Sequence, residues 1–207
     1  NEFITDFNFT NSVTTLNENL DTTNTTKLAD IVITDDALGT NAITVSDTTN
    51  FIIVGTELHL KSGVSLNYET KNSYTTTVTV TDSALSQSMN KTFTFTVTDV
   101  NEMYSSFVLN NQILQLYEIT DTSARIKVAD VVITDDALGT NQINISGADS
   151  TFFEADGTSI YLKAGSSLDY ETKDSLVFSV IVKDVGLNQS TSKSQKLTIL
   201  DSNEFID

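Results

Sequence analysis

The chain has 207 residues, enough for two domains of ordinary size, and 39% of them are apolar. Its net charge of −17, from 28 acidic and 11 basic residues, repels phosphate backbones and argues against a nucleic-acid partner. Cysteine is absent, which removes disulfides and thiolate metal sites, and no apolar run approaches the roughly twenty residues of a membrane-spanning helix, so no membrane insertion is expected.

In chain order, residues 13–20, 27–34, 41–47 and 51–60 read as strands separated by short polar turns. Between the second and third lies ITDDALGTN (33–41), where Asp35-Asp36 leads into a turn glycine, Gly39. The stretch 73–82 alternates strictly. Tyr74, Thr76, Val78, Val80 and Asp82 share one face, with threonines opposite. In 91–99 the buried-face set is Phe93, Phe95 and Val97, and Thr92, Thr94, Thr96 and Thr98 face the other way. Threonine is β-branched and suits the solvated face of a sheet.

From residue 100 onward the chain repeats itself. ADIVITDDALGTN (29–41) returns as ADVVITDDALGTN (129–141). LKSGVSLNYETK (60–71) returns as LKAGSSLDYETK (162–173), and DVNE (99–102) returns as DSNE (201–204). The strand 176–184 repeats the alternation with Leu176, Phe178, Val180 and Val182. About seven strands per hundred residues, with no helical period, predict an all-β chain. The expected fold is two tandem seven-stranded Greek-key β-sandwiches, repeat 1 over 1–102 and repeat 2 over 103–207. NEF stands at both ends, which reads as a piece of a longer array in phase with the repeat.

The acids gather at strand ends. In the first unit these are Glu18, Asp35-Asp36, Glu69, Asp82, and Asp99 with Glu102. In the second they are Glu118, Asp135-Asp136, Asp169 with Glu171, Asp184, and Asp201 with Glu204. Loops of a sandwich collect at its two poles, so carboxylates of adjoining poles would converge and repel one another unless a cation sits among them. Calcium takes six to eight oxygens from carboxylates, amides and carbonyls, whereas zinc prefers His and Cys, and the chain has one His and no Cys.

The linker DVNE, the NYE and LDYE motifs, the early glutamate of LNEN (16–19) and TDDALGTN together resemble the markers of cadherin repeats, in a diction closer to bacterial cadherin-like domains than to animal ones. The resemblance spans both units. It implies calcium bound between successive repeats, with neighbouring repeats of the same chain as partners, in a secreted or cell-surface protein of bacterial origin. Carried over by position, it implies Glu18, Glu69, Asn101 and Glu102 as ligands from the first unit, with backbone carbonyls of Val100 and Met103. From the second unit come Asp135, the carbonyl of Asn141, and Asp184. Glu18 and Glu102 are the implied bridging carboxylates. Asp99 and Asp136, acids of the linker and the repeated turn, complete the candidate metal set.

The chain departs from the family pattern in three places. The second acid of the family's Asp-x-Asp is Ala37 in one copy and Ala137 in the other, so Asp136 must bend in or an ion loses a ligand. Asn67 stands where the family has an aspartate, a neutral and weaker oxygen donor. Proline is missing from the linker. Fewer or weaker ions than three are therefore expected, with affinities of roughly 10⁻⁴–10⁻³ M, and the copy at 133–141 is expected to be occupied while that at 33–41 is largely empty.

No catalytic set is evident. Trp is absent, no Ser or Cys nucleophile with a base is in view, and the lone His59 is matched in the second unit by Tyr161, so His59 reads as an outward-facing structural residue and the protein as a non-enzyme. The expected function is a calcium-binding repeat pair that rigidifies a structural or adhesive stalk. The alternative is a calcium-dependent module that binds extracellular polysaccharide or another adhesin. Five Asn-x-Ser/Thr triplets, starting at Asn8, Asn24, Asn90, Asn144 and Asn188, are expected by chance in a chain this rich in Asn and Thr.

Overall fold

The computed structural model of the chain describes residues 3–35 and 40–202. It divides into two compact units, Asn1–Val100 and Asn101–Asp207. Asn101 and Glu102 therefore go with the second unit, two residues earlier than the boundary read from the repeat offset.

The first unit contains β1 (Asp6–Thr10), β2 (Thr15–Asn17), β3 (Thr26–Thr34), β4 (Asn41–Val45), β5 (Phe51–Val54), β6 (Glu57–Leu60), β7 (Ser73–Asp82) and β8 (Gln87–Thr98). They form two four-stranded sheets, β1-β3-β6-β5 and β2-β8-β7-β4. Eight segments reduce to the expected seven strands because β1 and β2 are one strand broken in the middle. At the break Asn11 takes a left-handed φ of 49°, a conformation asparagine tolerates better than most residues. The chain then leaves β3, to which β1 is antiparallel, and joins β8 in parallel on the other sheet.

The strand expected over 51–60 is a hairpin. Gly55, at φ 61°, turns the chain so that Phe51 pairs with Leu60. The apolar run FIIV hid the reversal, since its arm does not alternate cleanly, although the returning arm ELHL does.

The second unit repeats the design with β9 (Ser106–Asn110), β10 (Gln115–Tyr117), β11 (Ile126–Thr134), β12 (Asn141–Ser146), β13 (Phe153–Asp156), β14 (Ser159–Leu162), β15 (Ser175–Asp184) and β16 (Gln189–Leu200). Its sheets are β13-β14-β11-β9 and β10-β16-β15-β12. A short 3₁₀ turn at Ser150–Phe152 precedes β13.

The period-two reading of the long hairpins holds residue by residue. Tyr74, Thr76, Val78, Val80 and Asp82 are all buried, as are Phe93, Phe95 and Val97, and in the second unit Leu176, Phe178, Val180 and Val182. Each large apolar side chain on these faces contributes about 1.5–3 kcal/mol through burial. His59 does lie on the outer face of its sheet, but it is covered: its side chain is 12% exposed, with Nε2 2.8 Å from Oε2 of Glu57. Among the described residues, no helix is long and apolar enough to cross a membrane.

Candidate metal centres

The geometry of the first unit's C-terminal pole starts with Glu18. It follows β2, where the alternation that buries Leu16 also points Glu18 inward, leaving it 6% exposed. A buried carboxylate needs donors, and the backbone supplies them. Oε2 accepts the Tyr68 N–H at 2.8 Å and Oε1 the Val100 N–H at 2.7 Å. The Glu18 N–H itself donates to the carbonyl of Thr98 at 3.2 Å. Glu18 thus ties the end of β2 to the 67–70 turn and to the linker. Glu69 and Asp99 sit beside it, and one oxygen from each of the three carboxylates lies within 4.8 Å of the others. At that spacing each pair of charges repels by about 3–4 kcal/mol at an effective dielectric constant near 20, so an arrangement of this kind favours a bound cation.

Asn67, the neutral donor standing where an aspartate was expected, closes a turn. Its Oδ1 accepts the Thr70 N–H at 2.7 Å, closing the turn that presents Glu69. Asp169 does the same in the second unit, accepting both the N–H and the hydroxyl of Thr172 at 2.8 and 2.7 Å. These two bonds hold the Asp169 carboxyl below the usual carboxylate range. Asn67 and Asp169 thus cap equivalent turns.

The second unit builds the same cluster again from Glu118, Glu171 and Asp201. Glu118, 8% exposed, accepts the Tyr170 N–H at 2.8 Å and the Ser202 N–H at 2.6 Å. The candidate set read from sequence omits these three residues. The signal that finds them is the repeat offset itself: they lie 100, 102 and 102 residues after Glu18, Glu69 and Asp99.

The remaining candidates meet at the opposite pole of the second unit. Asp184 ends β15 and is 1% exposed. Its Oδ1 accepts the Leu187 N–H at 2.9 Å, and its Oδ2 accepts from Nδ2 of Asn101 at 3.1 Å. Asn141 opens β12 opposite Asp184, and its Nδ2 donates to Oδ2 of Asp135. Both amides thereby spend their N–H groups on carboxylates, and both leave a buried oxygen, Asn101 Oδ1 and Asn141 Oδ1, without a hydrogen-bond donor. A buried acceptor in that state costs about 1–3 kcal/mol, and hard cations are what such oxygens bind. Asn141 was expected to act through its backbone carbonyl; its side-chain oxygen is the one left over.

Asp136 does bend inward, and both of its oxygens meet backbone N–H groups. One oxygen accepts the Glu102 N–H at 2.9 Å and the other the Leu138 N–H at 2.8 Å, which fixes the linker against the turn. Ala137 and Gly139 carry φ of 71° and 72°. A side chain at Gly139 would collide with the amide of Asn101, so glycine is required there for closeness as well as for conformation.

In the first unit the corresponding groups are Asp35, Asn41 and Asp82. Nδ2 of Asn41 donates to Asp35 at 2.9 Å, and Oδ1 of Asn41 is again buried without a donor. Asp82, 1% exposed, accepts the N–H groups of Ala84 and Leu85. Asp36, Ala37 and Gly39 lie outside the described residues, as do Glu2 and Glu204. The amide-to-aspartate pair is therefore common to both copies of the nonapeptide.

No family model matches the chain, and no curated protein sequence matches it. Solved structures do. Protocadherin gamma B7 extracellular repeats 3–6, a structure titled as a cis-dimer, superposes with a TM-score of 0.69 at 22% identity, covering 95% of this chain and 48% of that one. Protocadherin gamma B2 extracellular cadherin domains 1–5 give 0.74 at 19% identity over 96% of this chain and 40% of that one. Human mucin-like protocadherin repeats 1–2 give 0.67 at 18% identity over 94% and 97%. The chain spans less than half the length of the two gamma protocadherin chains. The architecture is thus a tandem pair of β-sandwiches with the fold of cadherin extracellular repeats.

Proposed function

We propose that the chain is a calcium-binding pair of cadherin-like repeats from an extracellular or cell-surface protein, and that it serves as a structural or adhesive stalk rather than as an enzyme. The observation that carries this reading is the three-carboxylate cluster built twice from the same positions of the repeat, Glu18–Glu69–Asp99 and Glu118–Glu171–Asp201, each with its central glutamate braced by two backbone N–H groups. The donors on offer are all oxygen, which suits calcium and not zinc. Asp99 is joined through Val100 alone to Asn101 and Glu102. An ion held by the first cluster and one held by Asn101, Asp135, Asn141 and Asp184 would therefore restrain one short stretch of chain from both sides.

Without the ion the acids of that stretch repel, and the linker is free to bend. With it, binding to the folded state alone adds stability by mass action, about 1.4 kcal/mol at ten times the dissociation constant. Titration calorimetry on the chain should show calcium binding with affinities of roughly 10⁻⁴–10⁻³ M and a melting temperature that rises in millimolar calcium. Glu18→Gln should remove one class of site, and Asp184→Asn another. No heat of binding, together with an unchanged melt in calcium and in EDTA, sinks the proposal.

A further inference from the structure

Going beyond the calcium reading, three side chains of the first unit stand where they can react with one another. Lys91 lies opposite buried Val78, on the inward face of β8. Its stem passes the buried ring of Phe7, with Nζ 5.4 Å from the ring centroid, and the amine comes out beside β1. There Nζ lies 2.8 Å from Oδ1 of Asp6 and 2.9 Å from Oδ1 of Asn8. Asp6 and Asn8 are two positions apart on β1, the edge strand of its sheet, so both side chains leave the same face. The second oxygen of Asp6, Oδ2, accepts from Nδ2 of Asn8 at 2.9 Å. One carboxylate therefore bridges an amine and the nitrogen of a primary amide, while the amine touches that amide's oxygen.

An exposed ion pair between Lys91 and Asp6 would contribute little by itself, and the second unit shows what the lysine does without these partners. Lys193 is the repeat counterpart of Lys91 and holds the same place over Phe107, 5.0 Å from its centroid. Asp6 and Asn8, however, are replaced there by Ser106 and Val108. Packing of the lysine on a phenylalanine is thus common to both units. The carboxylate and the amide belong to the first unit alone.

We propose that Lys91 and Asn8 join in an isopeptide bond, with Asp6 carrying the proton. The free amine of Lys91 attacks Cγ of Asn8. Asp6 takes a proton from the attacking nitrogen and then gives it to Nδ2 of Asn8. The Cγ–Nδ2 bond breaks, ammonia leaves, and the new Cγ–Nζ bond makes a secondary amide. Nothing is oxidised or reduced, no co-reactant is consumed, and Asp6 ends as the carboxylate it began as. The hydrogen bond from Lys91, then that from Asn8, hold the Asp6 carboxyl below the usual carboxylate range, so it is present as the base the step requires. Unassisted attack of an amine on an amide is slow. Well-oriented neighbours gain effective molarities of about 10⁵–10⁸ M, and a placed acid–base group about 10²–10⁴-fold. The Lys91 side chain is 33% exposed, and an amine in contact with water is mostly ammonium at neutral pH. The bond should therefore form slowly after folding, and faster as the pH rises. It would tie the first strand of the unit to the last and close most of the unit into one covalent loop.

The test is the intact mass of the whole chain, followed for weeks at about pH 7 and about pH 9.5, both below the lysine reference value of about 10.4. The mass should fall by one ammonia, and the rate should rise roughly tenfold per pH unit across that span. A digest should yield a branched peptide joining residues 8 and 91, and the linked chain should melt at a higher temperature. Asn8→Val, which installs the second unit's residue, and Lys91→Arg should each abolish the mass loss. Asp6→Ala should slow it by about 10²–10⁴-fold. Circular dichroism checks that each variant is folded, and if one is not, the mass and digest of the unsubstituted chain still decide. An unchanged mass at both pH values overturns the proposal. So does conversion of Asn8 to aspartate without a branched peptide, and so does a loss of ammonia that persists in Asn8→Val, which would belong to another asparagine. A rate untouched by Asp6→Ala removes the proton carrier and overturns the mechanism. Mass is read without calcium, so failure here leaves the calcium reading standing, and failure there leaves this one standing.

Discussion

The two units fold alike yet fill the same positions differently, most clearly beside their long hairpins. Asp47 and Lys71 recur 102 residues later as Asp149 and Lys173, but their neighbours have changed. In the first unit Lys71 lies over the ring of Tyr74, 4.2 Å from its centroid, and that ring stacks on Phe95 at 5.1 Å. Asp47 is left to cap the Thr49 and Asn50 N–H groups, and buried Thr76 receives the Asp47 N–H at 3.2 Å. In the second unit Tyr74 is replaced by Leu176 and Thr76 by Phe178. Lys173, with no ring to cover, pairs with Asp149, and Phe178 stacks on Phe153 at 3.8 Å. One fold thus tolerates two local solutions because a lost aromatic on one strand position is regained on the next inward position of the same strand.

The comparison breaks most sharply at the aromatics. Phe178→Ala should cost about 3–5 kcal/mol and Phe95→Ala a similar amount. Hydrogen exchange resolved along the chain should show loss of protection in β13–β16 for the first and in β5–β8 for the second. Equal loss in both units for either variant would mean that the cores are not separate. A graft is the next test. Thr76→Phe without Tyr74→Leu overfills the first core and should cost about 1–3 kcal/mol. The pair together should recover part of that, measurable by chemical denaturation.

The smallest effects belong to the ion pairs. Lys173→Met should cost about 1–2 kcal/mol, since it leaves the buried Asp149 with only the Val177 N–H as a donor. Lys71→Met should cost less than about 1 kcal/mol, the worth of an exposed cation–π contact. The pH dependence separates them. The hydrogen bond from Lys173, then the Val177 N–H, hold the Asp149 carboxyl below the usual carboxylate range against the opposing pull of burial. A carboxyl depressed in the folded state stabilises fully above its unfolded value, near 4, and loses that contribution as pH falls through its lower folded value. Acid melts of Asp149→Asn should therefore lie closer to the neutral melt than those of the unsubstituted chain.

Much of this architecture could be read from residues. The long hairpins were legible because one face is buried and the other wet, so Val78, Val80, Phe93 and Phe95 advertise the period directly. The break in the first strand was less so: Asn11 permits a left-handed φ, but nothing in NSVT announces that the chain moves to the other sheet there. The glutamates and linker acids were visible as strand-end charges. What escaped was how they are held. That Asn67 and Asp169 close turns, and that Asp136 braces Glu102, depends on which backbone N–H groups the fold brings near, information that has no sequence period. The second carboxylate cluster is spelled by the repeat as well, since Glu118, Glu171 and Asp201 are the counterparts of Glu18, Glu69 and Asp99.

The short parallel pairings, Thr15–Asn17 along β8 and Gln115–Tyr117 along β16, have a mechanical consequence. Each joins the first strand of a unit to its last. Tension applied through the chain ends draws two parallel strands in opposite directions along their length, so the hydrogen bonds between them are loaded side by side in shear instead of opening one at a time. The glutamate at the end of each pairing adds one further bond to the segment that leaves the unit, at Val100 and at Ser202, and a second to the turn beside it. A unit built this way resists stretching at the place where force enters and leaves it.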